Sequence, residues 1–222
     1  MELNDFVSQN EPDETGERFE LENSKLLDID VDGTVIAKVG SMIAYDGDLS
    51  FTGKSSAEGG IAGMIKSKVT SEGTPVMEID GRGHVYLADQ EKKIQILELG
   101  AGESISVNGN DVLAFEDRVD YEIGTIGSLG GASAAGLLNV FLSGPGTVAI
   151  TTHGDPLVLS PPVRTDPDAT VAWSGNLSPS LKSDRSLKDS IGQSSGETYQ
   201  MSFDGSEGFV VVQPFEERTP QA

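Results

Sequence analysis

The sequence predicts an all-β protein built by internal repetition, on three observations. Glycine supplies 27 of the 222 residues, which makes the chain dense in turns, and long apolar helical stripes are scarce. Apolar and polar residues alternate in segments such as LLDIDVDGTVIAKVG, the period of a strand with one buried face. A short pattern, aliphatic then Ala then aromatic then polar positions, occurs three times: Ile43-Ala44-Tyr45-Asp46-Gly47-Asp48, Leu113-Ala114-Phe115-Glu116-Asp117-Arg118 and Val171-Ala172-Trp173-Ser174-Gly175-Asn176. Across the three copies the polar positions vary while the aliphatic-Ala-aromatic core persists. The pattern therefore reads as a core strand, with Tyr45, Phe115 and Trp173 as equivalent packing anchors.

Taken in order, residues 1–18 are polar and acidic and read as a disordered tail. Structure is expected from Phe19. Leu27, Ile29 and Val31 alternate with Asp28, Asp30 and Asp32, and Asp32-Gly33 is a tight-turn signal, which predicts a hairpin before the first motif copy. A strand pair is expected around Tyr45-Asp46-Gly47-Asp48. GKSSAEGGIAG, residues 53–63, is too rich in Gly and Ser for a strand interior and reads as a connection. PVMEIDGRGHVYLAD follows, with strands either side of Gly81 and Gly83.

That last element also recurs, as NVFLSGPGTVAITT around Gly144 and Gly146 and as YQMSFDGSEGFVVVQ around Gly205 and Gly208. These six glycines are expected at hairpin tips, where right-handed strands require positive φ. Ala44, Ala114 and Ala172 are 70 and 58 residues apart, and Gly81, Gly144 and Gly205 are 63 and 61 apart. Between the two elements each copy carries a small-residue connection, the second being GTIGSLGGASAAG (124–136). The expected organisation is one domain over 19–215, made of three pseudo-repeats of about 60–70 residues (19–90, 91–154, 155–215) around a pseudo-threefold axis, with a tail over 216–222. One repeat alone would bury too little surface to be stable.

Composition narrows the function. Asp and Glu number 36 against 15 Lys and Arg, for a net charge of −21, which repels phosphate backbones and excludes sequence-independent nucleic-acid binding. Carboxylates spread over the whole surface are expected of a halophilic protein in a high-salt cytoplasm. Cysteine is absent, so neither disulfides nor thiolate metal sites arise. The acidic start lacks an apolar signal core and no window reaches bilayer-spanning length, so a soluble cytoplasmic protein is expected.

No constellation converges on an active site, and no catalytic, metal or cofactor residue is assigned. DIDVDG (28–33) matches the first half of a calcium loop, but Val39 stands where the bidentate Glu belongs, and strand sequence intervenes. His84 and His153 occupy comparable places in two repeats without further ligands and read as structural or surface residues. The glycine-rich 124–136 segment lacks the helix and lysine of a phosphate loop. Its Gly130 and Gly131 read instead as a candidate interface loop, packing on a subunit or a membrane surface.

The segments VGSMIAYDGDLSF, DGRGHVYLAD, VNGNDVLAFEDRVDYEI, VFLSGPGTVAITTHGDPLVL, ATVAWSGNL and FVVVQP resemble the AIM24 family, in order, from about residue 21 to 214. The resemblance implies a fold similar to the tryptophan RNA-binding attenuation protein, of the β-sandwich or double-stranded β-helix type, assembled as a homotrimer. Mitochondrial relatives are associated with inner-membrane organisation, which implies a peripheral membrane or protein partner. The RNA role is not carried over, because this chain lacks a basic rim. The expected function is a non-enzymatic oligomeric scaffold; the alternative is a small-molecule or ion binder using a pocket between modules or subunits.

Overall fold

β-Branched and aromatic side chains recurring along the strands keep the backbone extended and bury at least one face of most of them. In a computed structural model, which describes residues 1–12, 15–54, 76–126, 138–183 and 199–217, this produces a protein that is nearly all β. The strands are β1 (Phe19–Asn23), β2 (Leu26–Lys38), β3 (Met42–Tyr45), β4 (Asp48–Lys54), β5 (Val76–Leu87), β6 (Lys93–Leu99), β7 (Ser104–Asn108), β8 (Val112–Glu116) and β9 (Asp120–Thr125). They continue with β10 (Leu138–Ser143), β11 (Gly146–Thr152), β12 (Leu157–Leu159), β13 (Val163–Thr165), β14 (Thr170–Ser174), β15 (Ser180–Ser183), β16 (Tyr199–Phe203) and β17 (Val210–Val212).

All ladders are antiparallel. One sheet runs β3-β5-β2-β8-β11-β6, with β1 added to β2 and β4 to β5. A second runs β12-β17-β14-β7-β10-β9, and a third is β13-β16-β15. Apolar residues from these sheets fill three clusters, centred on Phe115 and Val140, on Ile29 and Ile79, and on Trp173 and Phe203.

The first strand starts at Phe19, and the acidic segment before it, expected as a disordered tail, holds a short helix, α1 (Leu3–Ser8), with no buried residue. At the other end the chain past Pro214 is more than a tail, since Glu217 reaches a buried lysine.

The glycine pairs are not hairpin tips. β2 passes straight through Asp32-Gly33 and β5 straight through Gly81 and Gly83, the two strands pairing continuously from Leu27↔Leu87 to Lys38↔Val76. The turn signal is overridden by twelve residues of ladder. β3 and β4, also expected to pair with each other, instead lie end to end along the same edge of β5. The Asp46-Gly47 link between them crosses directly over Gly81 and Gly83. A Cβ on Gly81 would overlap the Asp48 carbonyl oxygen and one on Gly83 the Asp46 carbonyl oxygen, and both glycines have positive φ, +137° and +150°. Glycine is required there for a close backbone crossing.

At the other two places the chain changes sheets. β10 lies in the second sheet and β11 in the first, so Gly144 and Gly146 form a corner; β16 lies in the third and β17 in the second, so Gly205 and Gly208 form another.

The three motif strands share a local deformation. One residue is left without a partner at Ile43 between Met42↔Leu87 and Ala44↔Tyr86, at Leu113 between Val112↔Ile150 and Ala114↔Ala149, and at Val171 between Thr170↔Val212 and Ala172↔Val211. This bulge on the residue before the alanine bends each strand and re-aims the aromatic that follows. The aromatics do not share one environment, however. Phe115 is 0% and Trp173 2% exposed, whereas Tyr45 is 50% exposed, leaning edge-on against Phe51. β8 lies between β2 and β11 and β14 between β7 and β17, but among the described residues β3 has β5 on one side alone. Tyr45 is therefore not a core anchor within one chain.

The three small-residue connections leave from and return to paired strands, at Lys54↔Val76, Thr125↔Leu138 and Ser183↔Tyr199. Gly130 and Gly131 lie outside the described residues.

Candidate functional site

Two features stand out from an otherwise conventional β core: a buried cluster of charges and an exposed apolar strand edge.

The cluster is assembled from four chain segments. After β5, Gln90 and Glu91 adopt φ of 46° and 61°, a conformation uncommon for residues other than glycine. The resulting turn, closed by the Lys92 N–H donating to the Asp89 carbonyl at 2.8 Å, carries Lys92 inward. After β7, the Asn108 side chain accepts from the Asn110 N–H at 3.0 Å and presents Asp111. Lys92 is 3% and Asp111 1% exposed. The Lys92 ammonium sits 2.9 Å from Asp111 Oδ1, donates to the Asn110 carbonyl at 3.3 Å and pairs with Glu217. Lys38 joins from the end of β2, bonding Asp89 and the Asn110 carbonyl, each at 2.8 Å.

The segment after β17 closes over the cluster. The His153 N–H donates to Gln213 Oε1 at 2.7 Å, the His153 ring lies on Phe215 with centroids 4.2 Å apart, and its Nε2 is 3.2 Å from Glu217. Burial pushes the Asp111 carboxyl up to about 7 against the pull of Lys92. For Lys92, burial opposes the charge, but Asp111 and Glu217 outweigh it and hold the ammonium above its ordinary value. Burial likewise works against ionisation of Glu217, yet Lys92 holds its carboxyl below the ordinary range. An ammonium so stabilised is no nucleophile, and its three N–H donors face three acceptors, Asn110, Asp111 and Glu217. The cluster is chemically fitted to fasten strands together.

Beside it, an open cleft of about 480 Å³ is lined by Ala169, Gln213, Pro214, Phe215 and Glu216.

The second feature is the β3 edge. Val39, Met42, Ile43 and Tyr45 all expose large apolar surface along one short strand and its approach. Next to it on β5, His84 Nδ1 lies 3.0 Å from Asp28 Oδ2, and the His84 N–H donates to Asp46 Oδ1 at 3.2 Å. Burial raises Asp28, and His84 is also raised, because Asp28 outweighs the partial burial that opposes its charge.

The two histidines thus sit in separate environments, each beside a carboxylate. Asp28 faces His84 from a buried position, while Asp30 and Asp32 are exposed and Asp32 pairs with Arg82 at 2.8 Å, so the DIDVDG carboxylates do not converge. Among the described residues no group of three His, Asp or Glu is arranged to hold a metal ion, and no helix is long and apolar enough to cross a membrane. Sequence reasoning missed Lys92, Asp111 and Glu217. Asp111 and Glu217 are two of 36 carboxylates; the available signal was Lys92, one of only 15 basic residues.

The crystal structure of protein SPYM3_0169 from Streptococcus pyogenes is similar to this fold, with a TM-score of 0.68 and 23% identity over 89% of this chain and 92% of that one. No curated protein matches. The model of the family described as mitochondrial biogenesis AIM24 matches residues 19–215, from the first residue of β1 to the segment that closes over Lys92. The chain belongs to the AIM24 family.

Proposed function

We propose that this AIM24-family chain is a non-enzymatic scaffold, working as a homo-oligomer that docks on a protein or membrane-associated complex. The observation that supports the reading is the β3 edge. Four large apolar side chains, Val39, Met42, Ile43 and Tyr45, lie exposed along one short strand and its approach, whereas most Val, Ile and Leu of the other strands fill three buried clusters. A contiguous exposed patch of this kind marks an interaction surface. The trimer implied by the resemblance is the assembly expected. With a net charge of −21 the partner is not nucleic acid, and a docked membrane complex would be contacted from the cytoplasmic side through apolar surface.

Light scattering on the full chain at molar and at low salt tests the assembly, and affinity capture from extract at matching salt tests the partner. A discrete oligomer and a reproducible membrane-complex partner support the scaffold. A monomer at all concentrations with no partner recovered rejects it. The halophilic reading has its own test: melting temperature should rise steeply with added KCl, and a flat response rejects it.

A further inference from the structure

The strand order contains an unfinished sheet. Two paths of six strands share one plan, β4-β5-β2-β8-β11-β6 and β9-β10-β7-β14-β17-β12. In each, a triplet of strands presents its last member, β2 or β7, to a motif strand from the next stretch of chain, β8 or β14. The third triplet, β15-β16-β13, stops at β13, which pairs among the described residues with β16 alone. Among the described residues the first motif strand, β3, pairs with β5 alone. Strands β4, β9 and β15, and likewise β6 and β12, are edges wherever they occur in the plan. Among the described strands only β3 and β13 are edges where their counterparts are interior.

We infer that β13 of one copy pairs antiparallel with β3 of a second copy, head to tail, completing a third six-stranded path across the subunit boundary. This rests on the assembly reading above and names its edges.

The register follows from the two completed junctions. Met77, Val140 and Met201 each stand four residues before a corner or crossing glycine, Gly81, Gly144 or Gly205. Their ladder partners are Ala37, Val107 and Thr165. Ala37 in turn pairs with Ala114, and Val107 with Ala172, the alanines of the second and third motif copies. Thr165 is then opposite Ala44 of the second copy. Phe115 lies opposite Ile36 and Trp173 opposite Ser106, which sets Tyr45 opposite Arg164.

The edge is already shaped for this, because the bulge at Ile43 matches those at Leu113 and Val171. Charge agrees as well. Arg164 is an exposed cation on β13, and Asp46, in the link directly after β3, and Asp48, at the start of β4, follow Tyr45 along the same edge; neighbours of opposite charge across a strand pair stabilise it. The contact is heterologous, so it propagates until a ring closes. It also pairs two sheet edges, of which β3 exposes Met42, Ile43 and Tyr45, that would otherwise invite aggregation.

The chain has no cysteine, which gives cross-linking a clean background. Y45C and R164C chains, carrying different tags, are co-expressed and oxidised. Directly opposed residues in an antiparallel pair are within disulfide reach. The expected product joins one Y45C chain to one R164C chain, at twice the 23.3 kDa chain mass, and each variant alone stays uncoupled. The Y45C/R164C double variant should give a ladder ending at the ring. The A44C and T165C pair repeats the measurement one residue away, and melting curves check that each variant folds.

Y45C coupling to itself, or an internal bridge in a monomeric double variant, overturns the inference. If light scattering shows an oligomer and neither cysteine pair couples, the edge assignment fails and the scaffold stands. If the chain is monomeric throughout, both fail.

Discussion

Lys92 Nζ and Asp111 Oδ1 are 2.9 Å apart with both side chains almost wholly out of water, and Glu217 meets the same ammonium from the end of the chain. Removing the cation strands two carboxyls in a poorly solvating interior. Lys92→Met should therefore cost about 3–5 kcal/mol, as breaking a buried pair from one side does. Replacing both partners, in Lys92→Met with Asp111→Leu, should recover much of that loss, because the burial penalty of both charges disappears together. Urea melts of the two single variants, the double and the parent give the coupling. Additive losses would show that the pair does not act as a unit.

The same site fixes the sign of a pH dependence. The Asp111 carboxyl titrates near 3.8 in the unfolded chain and is pushed up to about 7 by burial in the fold. Between those values the native state holds a proton that the unfolded state has released. Stability from this group is therefore complete below about 3.8 and is lost as pH rises through about 7. Glu217 runs the other way: its lowered value contributes stability above the ordinary Glu range that is lost on acidification. Asp111→Asn removes the first slope and keeps the second. From pH 5 to 8 the parent should lose stability relative to Asp111→Asn, and parallel curves would place the Asp111 titration outside that window.

Most of the fold was legible because strand alternation and the aliphatic-Ala-aromatic core are local signals. The motif cores became strands with a shared bulge, and strand structure begins at Phe19. What failed was the meaning of Asp-Gly and Gly-x-Gly. A glycine with positive φ serves a hairpin tip, a sheet-changing corner and a backbone crossing equally well, and the choice among them is made by which strands pair at long range. Lys92, Asp111 and Glu217 were illegible for a related reason, since residues far apart in sequence meet through the ladder and the segment that closes over it. Tyr45 looked like Phe115 because burial depends on a neighbouring strand that the motif does not encode.

The crossing at β5 predicts an outcome that a hairpin tip would not. Gly81→Val puts a side chain onto the Asp48 carbonyl in a backbone region that branched residues avoid. Relief requires lifting the Asp46-Gly47-Asp48 link off β5. Hydrogen exchange should thus accelerate selectively in β3 and β4, along with a fall in melting temperature. Gly144→Val also lowers the melting temperature, but its clash is with Gly100 and Leu99, so its exchange change should fall on the β6–β7 region. Identical exchange maps for the two variants would contradict the crossing.

Tyr45 and Phe115 provide the sharpest contrast, because they hold the same place in the motif with opposite exposure. Phe115 packs between two neighbouring strands and against Tyr121 at 5.1 Å. Phe115→Ala should cost about 3–5 kcal/mol from the lost burial and the cavity left behind, at any protein concentration. Tyr45→Ser opens no comparable cavity within one chain, since half of the Tyr45 surface already meets water. If that exposed half is covered by a second copy, the loss in Tyr45→Ser depends on mass action. It should vanish on dilution below the dissociation constant and grow with protein concentration. Thermal melts across a hundred-fold range of concentration measure this directly. A concentration-independent loss equal to that of Phe115→Ala would return Tyr45 to the core of the single chain.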